Sequence, residues 1–406
     1  MAGGALASEA LNSPVEAATP RVLVVTNDFP PRVGGVQQYV WNLVRHLPDD
    51  RVAVLAPNWP DWSGFDSLQP YPIYRWPSSF LWPGADLFRR VRSLAGEHRA
   101  QVVLFGHGLP LPLLGPRLKE SGTPYVVLTH GAEVWVARTP LASSAMRWAL
   151  AQAAEVTAVS RYTARSIRPL LPKGVPLTVL HPSVDPERFS PSVDGGTVRH
   201  RHRLGDRPVV LCVSRLVPRK GQDVLIGSMS MVRRLVPGAV LVIVGDGPHR
   251  GALEAAATDA PGGAIVFAGE VPDEDLPAYY AACDVFAMPC RSRWGGLEVE
   301  GFGIVFLEAA SAGKAVVAGR SGGAGDAIVD EKTGLLVEGR EPKAVALALI
   351  RLLLDAAFAQ RLGSAGRAHV ERGFTWPTQA AQLARILARA VEGRARPDPS
   401  PAGGMG

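Results

Sequence analysis

At 406 residues, 47% hydrophobic and 20% charged, the chain is too long for one small core and fits two domains of ordinary size. No apolar run reaches the roughly 18–20 residues of a membrane-spanning helix, and the Ala/Ser/Pro-rich residues 1–20 read as a disordered extension, not a secretory signal, so a cytoplasmic protein is expected. A net charge of +6 and a pI near 9.4 favour anionic partners, whether nucleotide, nucleic acid or acidic lipid, and equally suit a basic enzyme with no polyanion partner.

Arg21-Val-Leu-Val-Val-Thr26 is a short β-branched run, read as a buried parallel strand. A loop over Asn27–Gly35 and a helical pattern over Val36–Leu47 follow. Strands are then predicted at Val52–Ala56, Gln101–Phe105, Tyr125–Thr129 and Glu155–Val159, each separated by enough chain for a crossover helix. This alternation predicts a doubly wound α/β domain over 21–193. Residues 194–207, with a Gly pair and a basic run, have linker character. A second series runs through Val209–Ser214, a helix at Asp223–Leu235, Val240–Val244, Ala264–Phe267, Asp284–Met288 and Ala315–Ala318, and predicts a second Rossmann-like domain over 208–375. A helix over 376–393 is expected to return to the first domain, and the Pro/Gly-rich tail 394–406 to be disordered. Two such sheets facing a cleft would collect ligands beyond the carboxyl ends of their strands. Of the three cysteines, Cys212 and Cys283 read as inert core thiols, and with Cys290 they match no zinc or disulfide spacing.

The candidate chemistry sits at predicted strand ends. Gly34 and Gly35 strip side chains from the start of the first helix, which suits approach of a diphosphate or simply makes a turn. Asp28 in the same loop is an acceptor-side carboxylate or a turn cap. In Thr129-His-Gly-Ala-Glu133, His130 is a candidate to meet a sugar hydroxyl or developing charge, with a structural role equally open; His181 has less to recommend it. Arg215 and Lys220, in Ser214-Arg-Leu-Val-Pro-Arg-Lys-Gly-Gln-Asp223, pair a planar fork with a point charge for diphosphate oxygens, unless the loop is merely solvated. Asp246 reads more readily as part of a turn than as a ligand contact, and Val271 follows a strand end where backbone could meet a base. Glu300 and Glu308 flank a Gly-Phe-Gly turn whose Gly303, Ile304 and Val305 amides open a helix. Carboxylates beside a phosphate site have hydroxyls as their sensible partners, so the pair suggests a nucleotide-sugar site; two solvated glutamates at a loop–helix junction are the alternative.

Together these residues resemble the family 4 retaining glycosyltransferases, of GT-B architecture, over nearly the whole chain from Arg21. Val25-Thr-Asn-Asp-Phe-Pro-Pro-Arg32, the Ser214–Asp223 segment and Phe286-Ala-Met-Pro-Cys-Arg-Ser-Arg293 are similar to the actinobacterial subgroup of GDP-mannose-dependent phosphatidylinositol monomannoside mannosyltransferases. The resemblance implies that Arg215 and Lys220 hold the diphosphate, Glu308 the ribose, Glu300 the donor sugar and His130 its far side, with the Gly34–Gly35 amides completing the phosphate site. It further implies α-1,6 mannosyl transfer from GDP-mannose to a phosphatidylinositol-type glycolipid, with no metal, no cofactor and no nucleic-acid partner. The departures, His130-Gly-Ala-Glu133 for His-Gly-His-Glu, Gly322-Gly-Ala-Gly-Asp326 for Gly-Gly-Ala-Pro-Glu, and Gly106-His-Gly-Leu-Pro110 for an Ala-rich segment, lie mostly on the acceptor side. A peripheral position on the inner face of the plasma membrane is expected, through Arg89, Arg90 and Arg92 near Phe80, Trp82 and Phe88, and through Arg161, Arg165 and Arg168 on one helix face, with a solvated basic face beside ordinary core aromatics an equal alternative. Another nucleotide sugar with a soluble acceptor, or a non-catalytic nucleotide-sugar or polyanion binder, stay open as alternatives.

Overall fold

Runs of Val, Leu and Ile shielded on both faces by helices have no polar side to show water, and they become parallel strands. A computed structural model describes residues 19–137 and 139–395; most of the extension expected over 1–20, and the tail from 396 on, lie outside the described residues. The chain divides into two compact units. One comprises the chain to Ala158, Ala164–Leu180 and the stretch from Pro377; the other comprises Val159–Thr163 and His181–Trp376.

The first unit holds seven parallel strands: β1 (Val22–Val25), β2 (Val52–Pro57), β3 (Ile73–Trp76), β4 (Val102–Phe105), β5 (Tyr125–Thr129), β6 (Glu155–Ala158) and β7 (Leu177–Val179). Their order is β3-β2-β1-β4-β5-β6-β7. β1 pairs on one side with β2, Val22 against Val52, and on the other with β4, Val22 against Val102. The winding therefore reverses between β1 and β4. The second unit repeats the plan with β8 (Val209–Val213), β9 (Val240–Val244), β10 (Ile265–Gly269), β11 (Val285–Met288), β12 (Ala315–Gly319) and β13 (Leu335–Val337), in the order β10-β9-β8-β11-β12-β13. Its reversal lies between β8 and β11. At such a reversal the crossover helices leave toward opposite faces, and the strand-end loops part to form a crevice.

The helix Trp376–Ala395 packs on the first unit: Gln382 Nε2 donates to Val179 O at 3.0 Å, and Arg389 pairs at 2.7 Å with Glu155, buried at the start of β6. The segment 194–207 is not a free linker. It folds into a short helix, Gly196–Arg201, whose Val198 joins Leu204 in the core of the second unit. Its basic residues are tied down as well, Arg199 to Asp284 at 3.2 Å and Arg201 to Asp275 at 3.3 Å.

Candidate active site

In the second unit the loops leaving β8 and β11 come into backbone contact. Gly221 ends the first of them at φ 80°, and a Cβ there would stand 2.2 Å from Pro289 O. Only glycine allows that approach. Arg291 N–H then donates to Arg219 O at 2.8 Å, and the two loops are stitched. Lys220, next to Gly221, is thereby carried to Glu300: its Nζ donates to Glu300 Oε2 at 2.7 Å, and Arg219 Nη1 reaches the same oxygen at 3.0 Å. The Glu300 side chain is only 8% exposed. Burial alone would raise its pKa, but the charges of Lys220 and Arg219 outweigh it and hold the carboxyl below the usual range. The backbone of Glu300 is fixed from the loop after β12, its N–H donating to Ser321 Oγ at 3.3 Å and its carbonyl accepting from Gly323 at 2.8 Å.

The predicted cation pair thus divides. Lys220 is engaged, whereas Arg215, two residues after β8, is exposed and its side chain makes no ion pair among the described residues. Arg219, passed over in the sequence, takes the intermediate place, 3.7 Å from Glu298 as well as bonded to Glu300. Its signal was available: two adjacent cations in one strand-end loop face two carboxylates, Glu298 and Glu300, in the next.

The helix Ile304–Ser311 starts behind Gly303, whose missing Cβ would lie 2.4 Å from the Phe306 ring. Phe306, Leu307, Ala309 and Ala310 face the core, which leaves Ile304, Val305 and Glu308 half-buried. Glu308 accepts a hydrogen bond from Tyr280 at 2.6 Å. Burial pushes its carboxyl up to about 7, against the pull of Tyr280 and Arg188. Asp246 is exposed and caps its own turn through the Gly247 N–H at 2.7 Å, while its carbonyl accepts from Leu216 at 2.9 Å, so the turn accounts for it. Val271 follows β10 and packs half-buried against the core. His181 is structural in its surroundings, its Nδ1 bonded to Val159 O at 3.0 Å and its ring 5.3 Å from those of Phe302 and Phe374.

In the first unit the loops after β1, β4 and β5 meet at the corresponding reversal. Gly34 precedes the helix Gly35–Val44, and a Cβ on it would strike Gln37 Oε1 at 2.2 Å; Gly35 is exposed, with nothing within 4 Å of the same position. A side chain at the first glycine would therefore displace the Gln37 amide, while one at the second would meet nothing. Gln37 in turn bonds Asp28. His130 Nε2 donates to Gly106 O at 2.6 Å. Burial, then the neighbouring His107, lower its pKa to about 4, so at neutral pH the ring is uncharged. Buried Glu133 was unassigned in the sequence. One of its oxygens accepts from the N–H groups of His130 at 2.9 Å and Gly131 at 2.8 Å, the other from Gly108 at 3.3 Å. That carboxylate shapes the turn that presents His130.

Two reversed parallel sheets with residues assembled at their carboxyl ends define a GT-B protein, and the halves match two family models: Glycosyltransferase Family 4 over residues 33–188 and Glycosyl transferases group 1 over 197–369. The chain belongs to this glycosyltransferase family and is an enzyme of that class. It is 44% identical over 376 residues, 90% of this chain and 98% of the relative, to the GDP-mannose-dependent alpha-(1-6)-phosphatidylinositol monomannoside mannosyltransferase of Mycobacterium tuberculosis. It is 37% identical, over 91% of this chain and 98% of the relative, to the GDP-mannose-dependent monoacylated alpha-(1-6)-phosphatidylinositol monomannoside mannosyltransferase of Corynebacterium glutamicum. Among solved structures, Anabaena Alr3699/HepE in complex with UDP and glucose aligns with a TM-score of 0.75 at 20% identity, over 91% of this chain and 99% of that one, a likeness of fold.

Proposed function

We propose that the protein is a retaining α-mannosyltransferase that moves mannose from GDP-mannose to the 6-hydroxyl of a phosphatidylinositol monomannoside. The observation that carries this reading is the Lys220–Glu300–Arg219 cluster at the crevice of the second sheet, with exposed Arg215, in no ion pair among the described residues, on the same loop as Lys220. The names of relatives that match almost end to end supply donor and acceptor.

In this reading Arg215 and Lys220 take the diphosphate. An ammonium has three protons, so Lys220 can keep Glu300 and still meet a phosphate oxygen. The amides of Gly303, Ile304 and Val305, with those of Gly34 and Gly35, add dipoles of the right sign. Glu300, held ionised, accepts from the donor sugar; Glu308 accepts from the ribose; Val271 lies toward the base and Asp246 shapes the adjoining turn. His130, neutral and bonded to Gly106 O, is assigned to the donor sugar as well. The bond from the anomeric carbon to the diphosphate breaks as the acceptor oxygen bonds to that carbon on the same face, and the departing phosphate oxygen takes the hydroxyl proton. Protein cations and amides carry the leaving-group charge, so no metal ion is required.

A lipid acceptor has to be met at a membrane surface. No helix among the described residues is long and apolar enough to cross a membrane. The first unit exposes Trp82, Trp135, Leu141 and Trp148, side chains suited to a lipid headgroup layer at the inner face of the membrane. The test is GDP release from GDP-mannose on adding phosphatidylinositol monomannoside, with the product opened by an α-1,6-mannosidase. Turnover confined to a uridine diphosphate sugar or to a soluble acceptor would refute the proposal.

A further inference from the structure

One side chain at the first sheet's crevice is not used by that mechanism. Gly106-His107-Gly108 leaves β4, and neither glycine could carry a side chain: a Cβ on Gly106 would lie 2.3 Å from Thr26 Oγ1, and one on Gly108 2.6 Å from Glu133 Cγ. The loop after β1 and the carboxylate after β5 thus clamp this segment on both flanks, and it presents His107 alone. His107 Nδ1 stands 3.2 Å from Asp28 Oδ2, with the two side chains 22% and 19% exposed. That nitrogen is shielded from solvent and makes no well-aligned hydrogen bond, while Nε2 has no hydrogen bond within the described protein. The Asp28 carboxylate, fixed at its other oxygen by Gln37, favours the tautomer with the proton on Nδ1 and leaves Nε2 as an open acceptor. The His107 and His130 rings lie 4.9 Å apart. His130 has spent its N–H on Gly106 O and is held neutral by burial and by His107, so it can only accept from a ligand.

We propose that His107, oriented by Asp28, is a specificity-determining residue that binds a hydroxyl of the polyol acceptor, a hexose or cyclitol ring, through Nε2. This rests on the mannosyltransferase reading above. The misaligned Nδ1 fits a bond that tightens when the acceptor arrives, as pairs at empty sites often do. Asp28 positions His107 and, partly exposed beside it, remains an acceptor-side carboxylate in its own right.

Steady-state kinetics with acceptor and donor varied separately test this. His107→Ala should raise the acceptor KM about 10- to 100-fold, the value of one hydrogen bond in a desolvated polar site, and leave the KM for GDP-mannose within about twofold. His107→Gln, whose amide reaches the Nε2 position, should recover most of the loss, and His107→Asn, whose amide reaches only the Nδ1 position, should not; a merely structural role would not separate the two. Penalties of equal size on phosphatidylinositol monomannoside and on an alkyl α-mannoside assign the hydroxyl to the hexose, and a penalty confined to the former assigns it to the cyclitol. If His107→Ala melts early, the Gln and Asn pair decides. An unchanged acceptor KM, or donor and acceptor KM rising together, overturns the proposal. If the wild-type enzyme uses some other acceptor, the function above fails, while the His107 series remains readable on that acceptor.

Discussion

The two sheets solve one topological problem with different chemistry. In the second unit the crevice loops are held by ions: Lys220 and Arg219 on Glu300, Arg219 and Arg293 on Glu298, Arg291 on Asp223. In the first unit one ion pair, Arg75 with Asp66, ties the β1 loop at Pro30 O, but around His130 and His107 the work is done by carboxylates without a cation: Glu133 gathers backbone N–H groups, Asp28 faces His107, and a neutral imidazole bonds a carbonyl. The difference suits what each half has to bind. A nucleoside diphosphate needs positive charge fixed before it arrives, because the cost of orienting cations is then met on folding. The hydroxyls of a polyol ring need neutral donors and acceptors or a carboxylate, not a fixed positive charge.

The sharpest way to break this comparison is to remove the two cations singly. Arg215→Ala and Lys220→Ala should each lower kcat/KM by about 10²–10³-fold, through lost leaving-group stabilisation. They should differ in stability. Lys220→Ala leaves buried Glu300 with Arg219 as its remaining cation and should lower Tm; Arg215→Ala removes an unpaired, exposed side chain and should leave Tm unchanged. Equal Tm losses would mean that Arg215 belongs to the ion network after all.

The next largest effect concerns the neutral half. Glu133→Ala strips an acceptor from three N–H groups in a buried turn, and should cost about 2–3 kcal/mol of stability with GDP-mannose affinity unchanged. Thermal melting and donor titration check the two halves of that statement. A parallel loss of donor affinity would erase the division of labour.

Much of this was legible in the sequence. Runs such as Val209–Val213 and Val240–Val244 are buried along their whole length, so composition alone gives them away. β3, β7 and β13 are not legible in that way. They are three or four residues long, and β3 and β7 are half-buried at or near the sheet edge, with polar Arg75 and Thr178 among their residues. The segment 194–207 passed for linker because two apolar anchors among many basic residues make no periodicity. At the site, Glu300 and Lys220 stood out by type and spacing, but Arg219, Glu133 and His107 act through loop-to-loop approaches that glycines permit, and such approaches have no signature along the chain.

Glu308 offers a smaller effect whose sign is fixed by linkage. Its folded carboxyl titrates near 7 against an ordinary value of 4.5. A carboxyl raised in this way binds its proton more tightly folded than unfolded, so the cost of ionising it is absent below about 4.5, grows through that window and is complete above about 7. Glu308→Gln should therefore raise Tm at about pH 8 and leave it unchanged near pH 4.5. Wild-type affinity for GDP-mannose should rise as pH climbs through about 7, because the carboxylate is the better acceptor for ribose hydroxyls, and in the Gln variant that rise should disappear. A flat wild-type profile would detach Glu308 from the donor.

The smallest effect is expected at the lipid surface. The basic clusters read from the sequence are largely committed elsewhere: Arg89 pairs with Asp86, Arg90 with Glu97 at 3.7 Å, and Arg161 with Asp326 at 2.9 Å. Arg168 falls beyond the helix Arg161–Ile167 and donates to Val175 O at 3.1 Å, so the three arginines do not form one free helix face. Exposed Arg92 and Arg165 are left to supply electrostatic contributions of about 1 kcal/mol each, roughly fivefold in binding. The aromatic contribution is better placed, since Trp82 is 70% exposed and its ring lies 4.6 Å from that of Phe80, tilted by 49°. Trp82→Ala should therefore weaken sedimentation with anionic vesicles more than Arg165→Glu does, and added salt should weaken it only modestly. If Arg165→Glu or salt abolishes binding while Trp82→Ala leaves it intact, charge governs the approach to the membrane, and the first unit is less neutral in function than its crevice suggests.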